Sequence, residues 1–234
     1  MDVRGKGALV TGASRGLGRE LARVLAREGA RVAMVARDGA AIEAAAQAIR
    51  AEGGNAHAIA ADVADKDATY AIAGTAQALV GPIDLLVHNA SSLGPLPMPL
   101  LLDTACEDLA AVLAANLIGP FRLTKALAGG MALRGGGVVV HVSSDAAVNG
   151  YARWGAYGMS KAALDHLGRT WAEELAGRVA FLSVDPGEMD TKMHADAMPD
   201  ADRATLASPA RVAEAIVRML AAPFASGARV TVAS

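Results

Sequence analysis

Ser144, Tyr157 and Lys161 carry a hydroxyl, a phenol and an ammonium, with thirteen residues from the first to the second and four from the second to the third. Groups of these types, brought together, can manage one proton on one carbonyl oxygen. Tyr157 and Lys161 are one helical turn apart, so on a helix they share a face. A free phenol titrates near pH 10, above the range a catalyst near neutrality wants. A neighbouring ammonium favours the phenolate, so the expectation is a Tyr157 made more acidic by Lys161. Ser144 would then bond the same substrate oxygen and fix its position. Taken alone, the Tyr-Lys pair also reads as two solvated residues on a helix surface, and the rest of the chain has to decide.

The elements that must position these groups follow from the apolar pattern. Segments 7–11, 31–36, 56–61, 84–89, 138–143, 178–184 and 228–233 are short runs rich in Val, Leu, Ile and Ala. Near-continuous apolar runs are buried on both faces, which is the mark of a parallel sheet. Helical stretches near 16–28, 39–53, 65–80, 104–132, 155–176 and 208–222 alternate with them. Asp65 and Ser208 stand as N-caps, with Pro209 at a first helical position. The pattern predicts a single Rossmann-type doubly wound α/β domain over residues 1–234, a seven-stranded parallel sheet with helices on both faces. Two stretches interrupt it, 91–101 with three prolines and 186–207 with several methionines. Both follow strand ends, where open α/β sheets place ligands, and both read as substrate loops. Leu93, Leu96, Met98, Met193 and Met198 would supply an apolar lining.

The first strand runs into TGASRGLG at 11–18. Gly12, Gly16 and Gly18 sit at the turn and at the mouth of the first helix, with Ser14, Arg15 and Leu17 between them. Glycine lets backbone approach a pyrophosphate, and a helix N-terminus offers unbonded N–H groups. A plain tight turn is the alternative. Strand two ends at Ala36-Arg37, where an NAD site usually carries an acid for the ribose 2′-hydroxyl. Arg37, together with Arg15, favours a 2′-phosphate instead, so NADP(H) is preferred and NAD(H) is the alternative. Asp38 either caps the next helix or competes for Arg37. Asp62 and Val63 follow strand three, and Asn89 and Ala90 follow strand four, on the adenosine side.

Asn116 lies in the long helical stretch with Pro120 four residues on. Proline has no N–H, so the Asn116 carbonyl loses its helical donor and the helix should kink. That carbonyl could hold a water that links Lys161 to solvent. His88, His141 and His194 are scattered, and the first two sit in apolar strands, so no metal site is expected. With 53% hydrophobic and 3% aromatic residues, the core must be built from small aliphatic side chains. A net charge of −2 and the lack of a basic stripe argue against nucleic acid and membrane surfaces. The single cysteine, Cys106, and the lack of a signal-type or membrane-length segment point to a cytoplasmic protein.

TGASRGLG at 11–18, Asp62-Val63, HNAS at 88–91, Asn116, Ser144, YGMSK at 157–161 and PGEMDT at 186–191 stand in one order along nearly the whole chain. This ordered set resembles the short-chain dehydrogenase/reductase family. The resemblance implies a catalytic tetrad of Asn116, Ser144, Tyr157 and Lys161. It also implies that Pro186 and Gly187 flank the nicotinamide and that Met189 lies at the cofactor. Thr191 would bond the carboxamide, and Lys161 the nicotinamide ribose. The implied activity is NADP-dependent interconversion of a carbonyl and an alcohol by a homodimer or homotetramer, with a 3-oxoacyl thioester as one substrate candidate. The rival is a non-catalytic NADP(H)-sensing protein on the same fold. Three features depart from the family pattern: Ser91 where a glycine is common, a short stretch after Pro186, and a close at ARVTVAS without a Gly-Gly pair.

Overall fold

The computed structural model describes residues 1–232. Seven parallel strands form one sheet: β1 (Gly7–Thr11), β2 (Arg31–Ala36), β3 (Asn55–Ala60), β4 (Ile83–His88), β5 (Val138–Val142), β6 (Ala180–Asp185) and β7 (Ala228–Thr231). Their spatial order is β3-β2-β1-β4-β5-β6-β7. The order reverses between β1 and β4, and the crevice beyond the strand ends at such a reversal is where this architecture receives ligands.

Helices α1 (Gly16–Arg27), α2 (Gly39–Ala51) and α8 (Pro209–Ala221) cover one face; α3 (Thr69–Val80), α5 (Gly119–Leu133) and α6 (Gly155–Glu174) cover the other. Two apolar layers result. One joins Val10, Leu21, Leu25, Met34 and Ile42 to Ile216 and Leu220. The other joins Leu9, Ile72, Leu86 and Leu123 to Phe181. Each wholly buried Leu, Ile or Phe contributes about 1.5–3 kcal/mol against exposure, so the sheet centre is a rigid platform for what its edges carry.

The structure corrects several sequence readings. The long helix expected over 104–132 is broken into α4 (Cys106–Leu113), a π turn (Ala114–Ile118) and α5. The cause is Pro120: with no donor for the Asn116 carbonyl, the ladder shifts, and Gly119 N–H donates five residues back to Ala114. α3 begins at Thr69, and Asp65 instead accepts from Asp67 N–H in a local turn, 2.9 Å away. Ser208 precedes α8 but its hydroxyl makes no capping bond. The strand expected at 56–61 runs over 55–60, that at 178–184 over 180–185, and Ala233 of the last lies outside the described residues. A short helix, α7 (Lys192–Ala197), lies within the second expected loop.

Candidate active site

A cleft of about 1640 Å³ opens along the C-terminal strand ends. Gly12, Ser14, Arg15, Gly16 and Leu17 line it, and so do Ser144, Tyr157 and Lys161. Arg37, Asp62, Val63, Asn89, Ala90, Pro186, Gly187, Met189 and Thr191 also face it.

The glycines act by close approach. Gly12 has φ +66, and a Cβ there would stand 2.7 Å from Ala90 Cα. At Gly18 a Cβ would meet Asn89 Nδ2 and the Gly12 carbonyl oxygen, each at 2.4 Å. Gly18, expected at the cofactor, does not itself line the cleft; its missing Cβ lets α1 pack against the turn. Asn89 clamps that turn, its Nδ2 donating to the carbonyls of Thr11 and Gly12 at 3.0 Å each. Thr11, which the sequence reading passed over, accepts at Oγ1 from the N–H groups of Asn89 and Ala90, both at 3.1 Å. A hydroxyl-bearing strand end just before a βα turn was the only signal for it.

No side chain caps α1, and its first turn holds no acid. Its first N–H groups therefore have no side-chain partner, at the positive end of the helix dipole. Arg15 and Arg37 are exposed at the rim. Among the described residues neither takes part in an ion pair. Asp38 leaves Arg37 alone because its carboxylate accepts from Ala41 N–H, 3.0 Å away, as the cap of α2. This backbone cradle and its open N–H groups fit a dinucleotide pyrophosphate.

Helix α6 brings Tyr157 and Lys161 to one face, both buried. Lys161 Nζ donates to the Val142 carbonyl at 2.7 Å and stands 5.5 Å from the centre of the Tyr157 ring. Burial lowers Lys161 to about 8, partly opposed by the Asp165 carboxylate. Burial pushes Tyr157 up to about 12; the hydroxyls of Ser144 and Ser91 pull it down, and the Asp145 and Asp185 carboxylates raise it. The acidified phenol expected from the sequence is thus not what the protein alone produces, because desolvation outweighs the pull of the Ser144 and Ser91 hydroxyls. Ser144 Oγ donates to Asp145 at 3.0 Å and accepts from Ala146 N–H at 3.2 Å. Ser91 is a further cleft hydroxyl, its Oγ buried without a hydrogen-bond partner.

Asn116 is wholly buried and does not line the cleft. Its Oδ1 accepts from Ser92 N–H at 2.7 Å, and its Nδ2 donates to the Ser92 carbonyl and to Ser160 Oγ, both at 2.9 Å. The carboxamide therefore ties the loop after β4 to α6. His88 bonds Thr124 at 2.9 Å and packs against His141, ring centres 5.3 Å apart. Burial holds both well below the ordinary histidine range, His141 at about 3, so they are neutral core residues. Leu93, Met98, Ala146, Trp154, Met193 and Ala197 cluster around Tyr157. Leu96, expected in that lining, is exposed. His194 reaches the cleft, 3.9 Å from Glu188.

The family model for short chain dehydrogenase matches residues 6–202. The chain belongs to the short-chain dehydrogenase family. It is an oxidoreductase acting on a CH–OH group or a carbonyl. This dehydrogenase is 38% identical over 190 residues to an uncharacterised oxidoreductase of Mycobacterium tuberculosis, covering 80% of this chain and 70% of that protein. It is 35% identical over 221 residues to ketoacyl reductase HetN of a Nostoc species, covering 93% and 76%. Among solved structures, a short chain dehydrogenase of Escherichia coli CFT073 complexed with NADPH superposes with a TM-score of 0.91 at 28% identity, over 99% of this chain and 98% of that one. A 7α-hydroxysteroid dehydrogenase complexed with NADH and a 7-oxo bile acid superposes with a TM-score of 0.89 at 29% identity, over 98% and 93%. No helix among the described residues of the dehydrogenase is long and apolar enough to cross a membrane.

Proposed function

We propose that the chain is an NADP(H)-dependent reductase or dehydrogenase of a moderately apolar ketone, aldehyde or alcohol, with Tyr157 as general acid and base. The observation that carries this reading is that Ser144, Tyr157 and Lys161 line the same cleft as the glycine cradle. Gly12, Ser14, Arg15, Gly16 and Leu17 would hold the pyrophosphate, with Arg37 and Arg15 on the 2′-phosphate. Asp62, Val63, Asn89 and Ala90 would border the adenosine, and Pro186, Gly187, Met189 and Thr191 the nicotinamide. When bound, the nicotinamide ring donates or accepts the hydride.

The chain's own residues manage the proton. Tyr157 gives its hydroxyl proton to the carbonyl oxygen during reduction and takes it back from the alcohol during oxidation. Ser144, turned from Asp145, bonds the same oxygen and fixes it beside the phenol. A charged Lys161 lowers the energy of the phenolate that remains. Asn116 holds the loop after β4 and, through the carbonyl that Pro120 leaves without a donor, offers a place for a water leading from Lys161. The cluster of Leu93, Trp154 and Met193 beside Tyr157 supports an apolar substrate body. Arg153 donates to the Met98 carbonyl at 3.2 Å and is not part of the lining, so it does not favour an anionic substrate. Ile118 at the end of the π turn, Phe121 on α5 and Met159 on α6 are exposed, which supports a homodimer or homotetramer.

Oxidation of NADPH by a panel of ketones and aldehydes tests the mechanism. Tyr157→Phe should lower kcat by about 100-fold or more. Turnover equal to wild type in that variant would remove Tyr157 from the chemistry.

A further inference from the structure

Behind the catalytic serine lies an ion-paired cluster that the proton chemistry does not use. Arg229, on β7, donates through Nε to Asp165 Oδ2 at 3.1 Å, and through Nη2 to Asp185 Oδ2 at 3.0 Å and to the Ser144 carbonyl at 2.9 Å. Its side chain is 20% exposed, and those of Asp165 and Asp185 are 4% and 6% exposed. Two buried carboxylates share this one guanidinium, and Asp165 Oδ1 has no hydrogen-bond partner, so the bonds to Arg229 must offset much of the cost of burying them. A planar fork can span three oxygens in fixed directions; a single ammonium cannot.

What those bonds hold is specific. β5 ends at Val142; Ser143 N–H still donates to the Val184 carbonyl of β6 at 2.7 Å, and the next residue, Ser144, lines the cleft. Three consecutive residues there are tethered by side chains from other elements. Lys161 Nζ holds the Val142 carbonyl at 2.7 Å, Ser143 Oγ donates to Asp165 at 2.8 Å, and Arg229 holds the Ser144 carbonyl. The other oxygen of Asp185 accepts from Gly187 N–H at 3.0 Å, in the turn that borders the cleft with φ +70. Arg229 itself does not line the cleft.

We propose that Arg229 is a positioning residue: its guanidinium, shared by Asp165, Asp185 and the Ser144 carbonyl, sets the catalytic hydroxyl and the Gly187 turn in register at the ends of β5 and β6. The idea rests on the functional reading above, since it assumes that Ser144 and the Gly187 turn meet the reacting groups.

Arg229→Lys keeps the charge and loses the fork; Arg229→Ala loses both. Per NADPH-binding site, kcat should fall by about 10- to 100-fold in each, because misplacement of order 1 Å costs that much. KM for the carbonyl compound should change far less. Guanidinium ion added to Arg229→Ala should restore part of the rate. In Arg229→Lys, hydrogen exchange should quicken in segments 143–146 and 186–189 and stay as in wild type in β1 and α1. A variant that only loses melting temperature, with kcat per site within about two-fold of wild type, overturns the proposal. So does unchanged exchange in the two segments, a readout that needs no turnover. Tyr157→Phe, assayed alongside, tests the functional reading separately.

Discussion

Lys161→Met should make the protein more stable at pH 7 and less stable at pH 10.5. The side chain is 2% exposed, and burial brings its pKa from 10.5 to about 8. That gap of about 2.5, at roughly 1.4 kcal/mol per pH unit, makes the buried ammonium cost about 3 kcal/mol. The direction follows from proton binding. Between pH 8 and 10.5 the unfolded chain holds a proton on this lysine that the folded chain has released, so stability rises with pH across that window. The cost is fully present below pH 8 and gone above 10.5. Methionine keeps the apolar stem and removes the charge. It also strands the Val142 carbonyl, which Lys161 bonds at 2.7 Å, at a cost of about 1–3 kcal/mol. The net at pH 7 is then about 0–2 kcal/mol in favour of the variant, a rise in Tm of up to about 8 °C for a chain of this size. At pH 10.5 only the lost bond remains, and the variant melts lower. Tyr157, raised to about 12, keeps its proton in the folded state while the unfolded phenol ionises near 10. Both proteins therefore lose stability above pH 10, and the difference between them cancels this effect. Calorimetry of nucleotide-free wild type and variant from pH 7 to 10.5 reads the difference. A difference independent of pH would refute the reasoning, because it would mean that Lys161 carries no desolvation cost.

Arg37→Asp should weaken NADPH binding by about 10- to 100-fold, the loss of one to two charge-assisted bonds, and leave NADH binding nearly unchanged; equal losses in fluorescence titrations would show that Arg37 does not read a 2′-phosphate. Light scattering at micromolar concentration should find a dimer or tetramer, and Phe121→Glu, which puts a charge on the exposed apolar face of α5, should shift the population toward monomer; a monomeric wild type would exclude pairing through that face.

The alternation of apolar runs with amphipathic stretches determined the parallel sheet, because burial on both faces leaves no other composition for its strands. The glycine turn and the residues 144, 157 and 161 were legible for the same kind of reason: their types and spacing are chemistry written locally. The broken helix at Asn116 was legible as a kink, since a proline's missing N–H is a local fact. What only the tertiary structure decided are the energies of contact between distant segments. The sequence suggested an acidified Tyr157, but its depth beneath Leu93, Trp154 and Met193 sets the sign of the shift the other way. That Gly18 must stay bare because Asn89 lies against it is likewise a contact between distant segments. Arg229 carried no signal at all, because its three partners lie 44, 64 and 85 residues away along the chain. A residue whose role is to join α6, β5 and β6 has no local pattern, and appears only when those elements are brought together.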